Sequence, residues 1–125
     1  MAASGTVTVA LNFTPTNGTQ QTFAPGVLAL SPSQDFYCQN TVSIGTSKTA
    51  LTLGGVSGSD LGYCLLKNLD PTNYVSLYSD NASATEIARL APNGGVALIP
   101  FGPASTPFLA AHTSACNVQY MIISA

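Results

Sequence analysis

Short alternating or apolar runs, separated by turns rich in glycine and proline, recur along the chain and limit it to β structure. In the first run, Val7, Val9, Leu11 and Phe13 alternate with smaller or polar residues, which predicts a strand with one apolar face. The chain has about ten such runs in all, at the spacing typical of sandwiches and barrels. None keeps a helical apolar period over ten residues. We predict an all-β protein, a jelly-roll-like β-sandwich of about eight to ten short antiparallel strands, forming one domain over residues 1–125.

The chain carries very little charge. Charged residues make up 6% of it, against roughly 25% in a typical soluble domain, although a folded monomer of this size exposes about 6,300 Å². Most of the surface must then be uncharged, with apolar patches of the kind that usually mark interfaces. This composition favours a protein that assembles over a compact monomer with a Ser/Thr-rich surface. Three scattered basic residues also argue against binding to nucleic acid or to an anionic membrane.

The compartment is indicated only by what the chain lacks. The start, MAASGTVTVALNF, has no basic segment ahead of an apolar one, and no apolar run approaches the length of a membrane span. Cys38, Cys64 and Cys116 are an odd number without a CxxC pair, so we expect free cysteines that pack as small apolar residues. Synthesis and use, or assembly, in the cytosol is the expectation.

The stretch LLKNLDPTNYVSLYSD, residues 65–80, raises the question of a polar site because it gathers two asparagines and two aspartates. Pro71 presets the backbone for a turn, and Asp70 before it can accept hydrogen bonds from the amides of that turn. Asn68 and Asn73 are of the residue type that caps loop backbone. We interpret the stretch as a hairpin connection between two strands rather than as a ligand site.

The sequence offers little for catalysis. His112 is the only histidine, and the loop around Ser57 does not form a G-x-S-x-G motif. A structural zinc site needs four Cys or His ligands, whereas the four such residues here are scattered. No spacing matches a calcium loop, a dinucleotide fingerprint or a phosphate-binding loop. We therefore predict no catalytic, cofactor-binding or metal-binding residues, and a protein that is not an enzyme.

Carbohydrate binding is a further possibility for a small all-β domain. Sugar platforms use exposed aromatic faces, but the chain has no tryptophan. It has five tyrosines, whose positions within alternating runs favour packing in the core or at an interface. These are Tyr37, Tyr63, Tyr74, Tyr78 and Tyr120.

From about Val42 to its end, the chain resembles small structural proteins of tailed bacteriophages. The resemblance lies in an apolar strand followed by NLDPTNYV, then in RLAPNGG, and then in a terminal pair of strands over FLAAHTSACNVQYMII. The chain departs from the family at Pro92-Asn93-Gly94-Gly95, where a Pro-Gly-Glu turn is more usual. The likeness covers about two thirds of the chain and leaves the first 40 residues unmatched.

This resemblance implies a virion component, and a capsid decoration (cement) protein in particular. Such a protein would bridge major capsid proteins, most simply as a homotrimer, on the capsid surface of a virion assembled in the bacterial cytoplasm. A tail or head–tail accessory protein is the nearest alternative. A small carbohydrate-binding module is another, and predicts exposed tyrosines with polar neighbours. An enzyme would need His112 in a cleft with a nucleophile and a carboxylate.

Two segments are candidates for subunit contacts. The apolar residues of the N-terminal segment are placed to pair with a neighbour's sheet edge. The loop from Pro103 to Pro107 is stiffened by its prolines, which reduces the ordering that binding requires. An ordinary edge strand and an ordinary surface loop are equally simple interpretations.

Overall fold

A computed structural model describes residues 4–31, 37–56, 61–82, 84–100 and 106–124. In these ranges the chain is all-β, as the alternating runs predicted. No helix in the described ranges is long and apolar enough to cross a membrane. The ten strands are β1 (Gly5–Phe13), β2 (Gln21–Leu30), β3 (Tyr37–Ile44), β4 (Thr49–Ala50), β5 (Leu61–Asn68), β6 (Val75–Tyr78), β7 (Ala88–Leu90), β8 (Val96–Pro100), β9 (Phe108–Ala111) and β10 (Cys116–Ser124).

Eight of these strands form two four-stranded antiparallel sheets. The first sheet has the order β3-β10-β5-β8, and the second has the order β4-β9-β6-β7. Most consecutive strands alternate between the sheets, and the first and last of the eight, β3 and β10, lie side by side. This strand order is that of a jelly roll, which confirms the predicted fold class.

The core lies between the two sheets. It is built from inward-facing side chains of both sheets, most of them fully buried. In β10, Val118, Tyr120 and Ile122 are buried while the residues between them are exposed, the period of two expected of a strand with one covered face. Tyr120 keeps its hydroxyl satisfied by donating a hydrogen bond to the carbonyl oxygen of Thr52, at 2.9 Å. The largest members of the core are Ile44, Leu61, Leu66, Leu77, Leu90, Leu109, Tyr120 and Ile122.

The remaining two strands form a separate antiparallel hairpin, Gly5–Leu30, called the arm below. In the described chain, β1 and β2 pair with each other and with no other strand. Asn17 and Gly18 lie in the turn between them, where the Gly18 amide donates to the carbonyl oxygen of Pro15. A bulge between Val9 and Leu11 interrupts the register. Gly26 there has a φ of 97°, a conformation that glycine adopts at little cost.

The prediction of a hairpin connection after Asn68 was wrong. β5 pairs with β10 and β8 in the first sheet, whereas β6 pairs with β9 and β7 in the second. The segment between them therefore crosses from one sheet to the other. Turn-forming residues are required in either case, so local sequence did not distinguish a hairpin from a crossover.

Candidate interaction surfaces

The polar stretch after β5 is an internal anchor. Asn68 is fully buried, and its Nδ2 donates to the carbonyl oxygens of Asn73 (2.8 Å), Leu90 (3.1 Å) and Ala91 (3.3 Å). Its Oδ1 accepts a hydrogen bond from the Asp70 amide at 3.0 Å. One side chain thus joins the crossover to the turn that precedes β8. Every polar atom of its amide has a partner within the protein, which supports a structural role.

Asp70 organises the turn itself, as its position before Pro71 predicted. Its Oδ1 accepts hydrogen bonds from the amides of Asn73, at 2.6 Å, and Thr72, at 2.8 Å. These two bonds favour the ionised carboxylate and hold the pKa of Asp70 below its usual value. The Asp70 carboxylate is therefore hydrogen-bonded to the backbone of the turn, which is a structural role.

Acid stability is expected to depend on Asp70. Because its folded-state pKa is lowered, its ionisation stabilises the fold fully above the unfolded pKa of about 3.9. That contribution is lost as the pH falls through the lower folded-state pKa. Asp70→Asn cannot titrate, so its stability should fall less steeply with acidification below about pH 4. Urea unfolding of both proteins between neutral and strongly acidic pH checks this. If the free energy of unfolding fell equally with pH in the wild type and in Asp70→Asn, the prediction would be wrong.

A cluster of aromatic and charged side chains lies on the outer face of the second sheet. The rings of Tyr74 and His112 stack with their centroids 4.4 Å apart, and the Tyr74 hydroxyl lies 2.8 Å from Nδ1 of His112. The Arg89 guanidinium is 4.0 Å from the centre of the Tyr74 ring. Arg89 also donates two hydrogen bonds to the Glu86 carboxylate. These bonds lower the pKa of Glu86 and raise that of Arg89.

The members of this cluster are engaged mainly with one another. The ring of Tyr74, which a sugar would need as a platform, is in contact with both His112 and Arg89. The ring of Tyr78 is likewise approached by the Lys48 ammonium, at 4.4 Å from its centre. The His112 ring stacks on Tyr74 and lies within hydrogen-bond distance of its hydroxyl, and the His112 amide donates to the Tyr74 carbonyl oxygen. We interpret the cluster as packing on the face of the sheet.

The three cysteines pack as the sequence predicted. All three are free, with Cys64 and Cys116 buried and Cys38 partly buried. Burial raises the pKa of the Cys64 thiol to about 12, so this thiol stays protonated at neutral pH. Among the residues that the structure describes, no three His, Cys, Asp or Glu side chains are grouped so as to hold a metal ion.

The arm has one apolar face, which the structure leaves uncovered. Directly paired residues of antiparallel strands point to the same side, so Val7 shares a face with Leu28, and Leu11 with Phe23. The opposite face mixes threonine and asparagine with Val27 and alanine, and Thr22 donates a hydrogen bond to Asn12 across the strands at 2.9 Å. The exposed fractions on the apolar face are large: 51% for Val9, 64% for Leu11, 62% for Phe13, 68% for Phe23 and 48% for Leu28. We call these five residues the arm face.

The first sheet also has an apolar area on its outer side. Pairing places Tyr37, Ile123 and Tyr63 in one row across the sheet. Met121, Leu65 and Leu98 form the next row on the same side. Tyr37 is 65% exposed, Leu65 44% and Met121 39%, and the other three are half-buried. We call these six residues the outer patch. The second row ends at the exposed Gln39, and the row beyond it holds Thr41, Gln119 and Lys67 beside the exposed Val96.

Sequence reasoning found the arm face but missed the outer patch. The alternation of Val7, Val9, Leu11 and Phe13 predicted one apolar face, which the register confirms. Four of the six patch residues lie within the continuous apolar runs 63–66 and 120–123. Such runs are typical of strands covered on both sides, and here only one side is covered. Of the Pro103–Pro107 loop, residues 103–105 lie outside the described residues. Pro107 is buried, and its carbonyl oxygen accepts from the Leu51 amide.

Comparison of the chain with protein-family models, with curated proteins and with solved structures gave no match. The resemblance to phage structural proteins therefore depends on sequence pattern alone.

Proposed function

We propose that this protein is a structural component of a tailed-phage virion, a capsid decoration protein that stabilises the head by bridging major capsid proteins. The observation that carries the proposal is an eight-stranded jelly roll with two uncovered apolar faces and almost no charge. Jelly rolls are common among viral capsid domains, although a fold supports a function only by analogy. The sequence pattern over residues 42–125 points in the same direction.

The role requires contact area and rigidity rather than catalysis. The sandwich supplies rigidity through its buried core and through Asn68, which ties the crossover to a neighbouring turn. The uncovered apolar faces supply area for contacts with other subunits. A homotrimer on the capsid surface would place each copy over a seam between shell proteins. Many copies binding at once would brace the shell by avidity even where each contact is modest.

A tail or head–tail accessory protein is the alternative from the same virion, because the sequence pattern is shared by both kinds of structural protein. This alternative predicts a ring with a fixed number of subunits that does not bind phage heads.

A carbohydrate-binding module is the alternative from another class. Lectin domains also adopt jelly rolls, and Tyr37 and Tyr63 lie in one accessible row of the outer patch. Measurable affinity in a glycan-binding assay, lost on Tyr37→Ala, would favour this alternative.

Light scattering followed by sedimentation with heads tests the proposal. The purified protein is expected to have the mass of a trimer and to pellet with undecorated phage heads at a saturating, fixed stoichiometry. Decorated heads should then withstand heating that opens bare heads. A monomer, or a ring of six or twelve subunits that stays in the supernatant, would overturn the decoration role.

A further inference from the structure

The arm is unusual because one of its faces carries five apolar side chains that remain largely exposed, whereas Leu30 at its base is buried. Val9, Leu11, Phe13, Phe23 and Leu28 share one face, and each is about half exposed or more. At roughly 100 Å² for each, the arm face presents about 500 Å² of apolar surface. This is about the size of the largest apolar patch on a typical monomer, roughly 300–600 Å², and such a patch is often functional.

The charge of the arm favours a partner that is also uncharged. Residues 4–31 contain no Asp, Glu, Lys or Arg, and the first charged residue of the chain is Asp35. The outer patch of the same protein is uncharged too, and its aliphatic and tyrosine side chains lie in two adjacent rows. The two surfaces therefore match in chemistry and are of similar size.

The length and the attachment of the arm allow it to reach another copy. β2 has 10 residues, which at about 3.3 Å each gives a ribbon roughly 30 Å long, comparable with the diameter of a small domain. Residues 31–36 connect the arm to Tyr37, which is itself part of the outer patch. A ribbon of this length is long enough to extend over a neighbouring subunit.

From these observations we infer that the arm face of one subunit packs on the outer patch of a second copy of this chain. One such contact covers both uncovered faces and removes about 1,000 Å² from solvent, which reaches the lower limit for specific interfaces. Because the two surfaces differ, the contact is head-to-tail, and it closes into a ring such as a trimer when the rotation permits. The inference rests on the self-association in the proposed function and names the surfaces that carry it.

Two matched pairs of variants test which faces are used. Leu11→Lys alters the arm face, whereas Val27→Lys alters the opposite face of the same ribbon at an identical exposure of 64%. Leu65→Lys alters the outer patch, whereas Thr41→Lys lies on the polar part of the same side of the sheet. Leu11→Lys and Leu65→Lys are each expected to raise the dissociation constant of self-association about 30-fold or more. The two controls should assemble like the wild type.

Mixing the two disruptive variants tests the head-to-tail arrangement. Leu65→Lys keeps an intact arm and Leu11→Lys keeps an intact patch, so an equimolar mixture should form a 1:1 dimer that grows no further. Light scattering and analytical ultracentrifugation give the mass, and circular dichroism checks that each variant is folded. If arms packed on arms instead, Leu65→Lys would assemble like the wild type and the inference would be wrong.

The remaining outcomes separate this inference from the proposed function. A wild-type oligomer that neither Leu11→Lys nor Leu65→Lys weakens would overturn the arm-to-patch contact and leave self-association intact. A wild-type protein that stays monomeric at high concentration would overturn both. Binding to phage heads is not used in this experiment, so failure of the decoration role does not affect its result.

Discussion

Replacing Asn68 with alanine is expected to lower the free energy of unfolding by about 3 kcal/mol, because each buried polar group left without a partner costs about 1–3 kcal/mol. The change leaves the carbonyl oxygens of Leu90 and Asn73 and the amide of Asp70 without the Asn68 side chain. Urea denaturation at neutral pH measures the loss. A loss below about 1 kcal/mol would show that water replaces these bonds and that the anchor is dispensable.

Two further variants separate polarity from packing at this site. Asn68→Asp keeps the size and the acceptor oxygen but places a carboxylate where Nδ2 donates to three carbonyl oxygens. It should be at least as destabilising at neutral pH as the alanine variant. Asn73→Ala is the matched control, since the Asn73 side chain makes an exposed bond to Ser114. It should cost less than about 1 kcal/mol.

Ile122→Ala is expected to destabilise the protein by about 3–4 kcal/mol, within the range for large-to-small changes in a core. Ile122 is fully buried in β10, whereas the adjacent Met121 is 39% exposed on the outer patch. Met121→Ala should therefore cost less than about 1 kcal/mol. Denaturant unfolding at a protein concentration that keeps the chain monomeric compares the two. If Met121→Ala destabilised the protein more than Ile122→Ala, β10 would be paired one residue out of register, with its buried and exposed faces exchanged.

The existence and type of the strands could be predicted because they depend on local pattern. Alternation in residues 6–13 predicted β1 and its apolar face. The jelly-roll class followed from the number and spacing of short strands. Asn93 and Gly94 lie in a turn, and both adopt a positive φ that such turns use.

Pairing partners and covered faces could not be predicted in the same way. Asp70 and Pro71 would form a turn in a hairpin as readily as in a crossover, and the choice depends on strands far away in sequence. The role of Asn68 depends on carbonyl groups of residues 73, 90 and 91, brought to it by the fold. The outer patch could not be predicted because a continuous apolar run does not show whether the second face of its strand packs on another sheet or faces solvent.

The order of strands in the first sheet has a consequence for how the protein is made. β10 lies between β3 and β5, and its pairing with β3 joins Tyr37 to Ile123. During synthesis neither partner can complete its ladder until Cys116–Ser124 has left the ribosome, so the sandwich must close after translation of this segment. Folds dominated by such distant pairings close slowly, in about milliseconds to seconds. The uncharged arm precedes the sandwich in the chain, so its apolar face is exposed during that interval, when premature association is most costly.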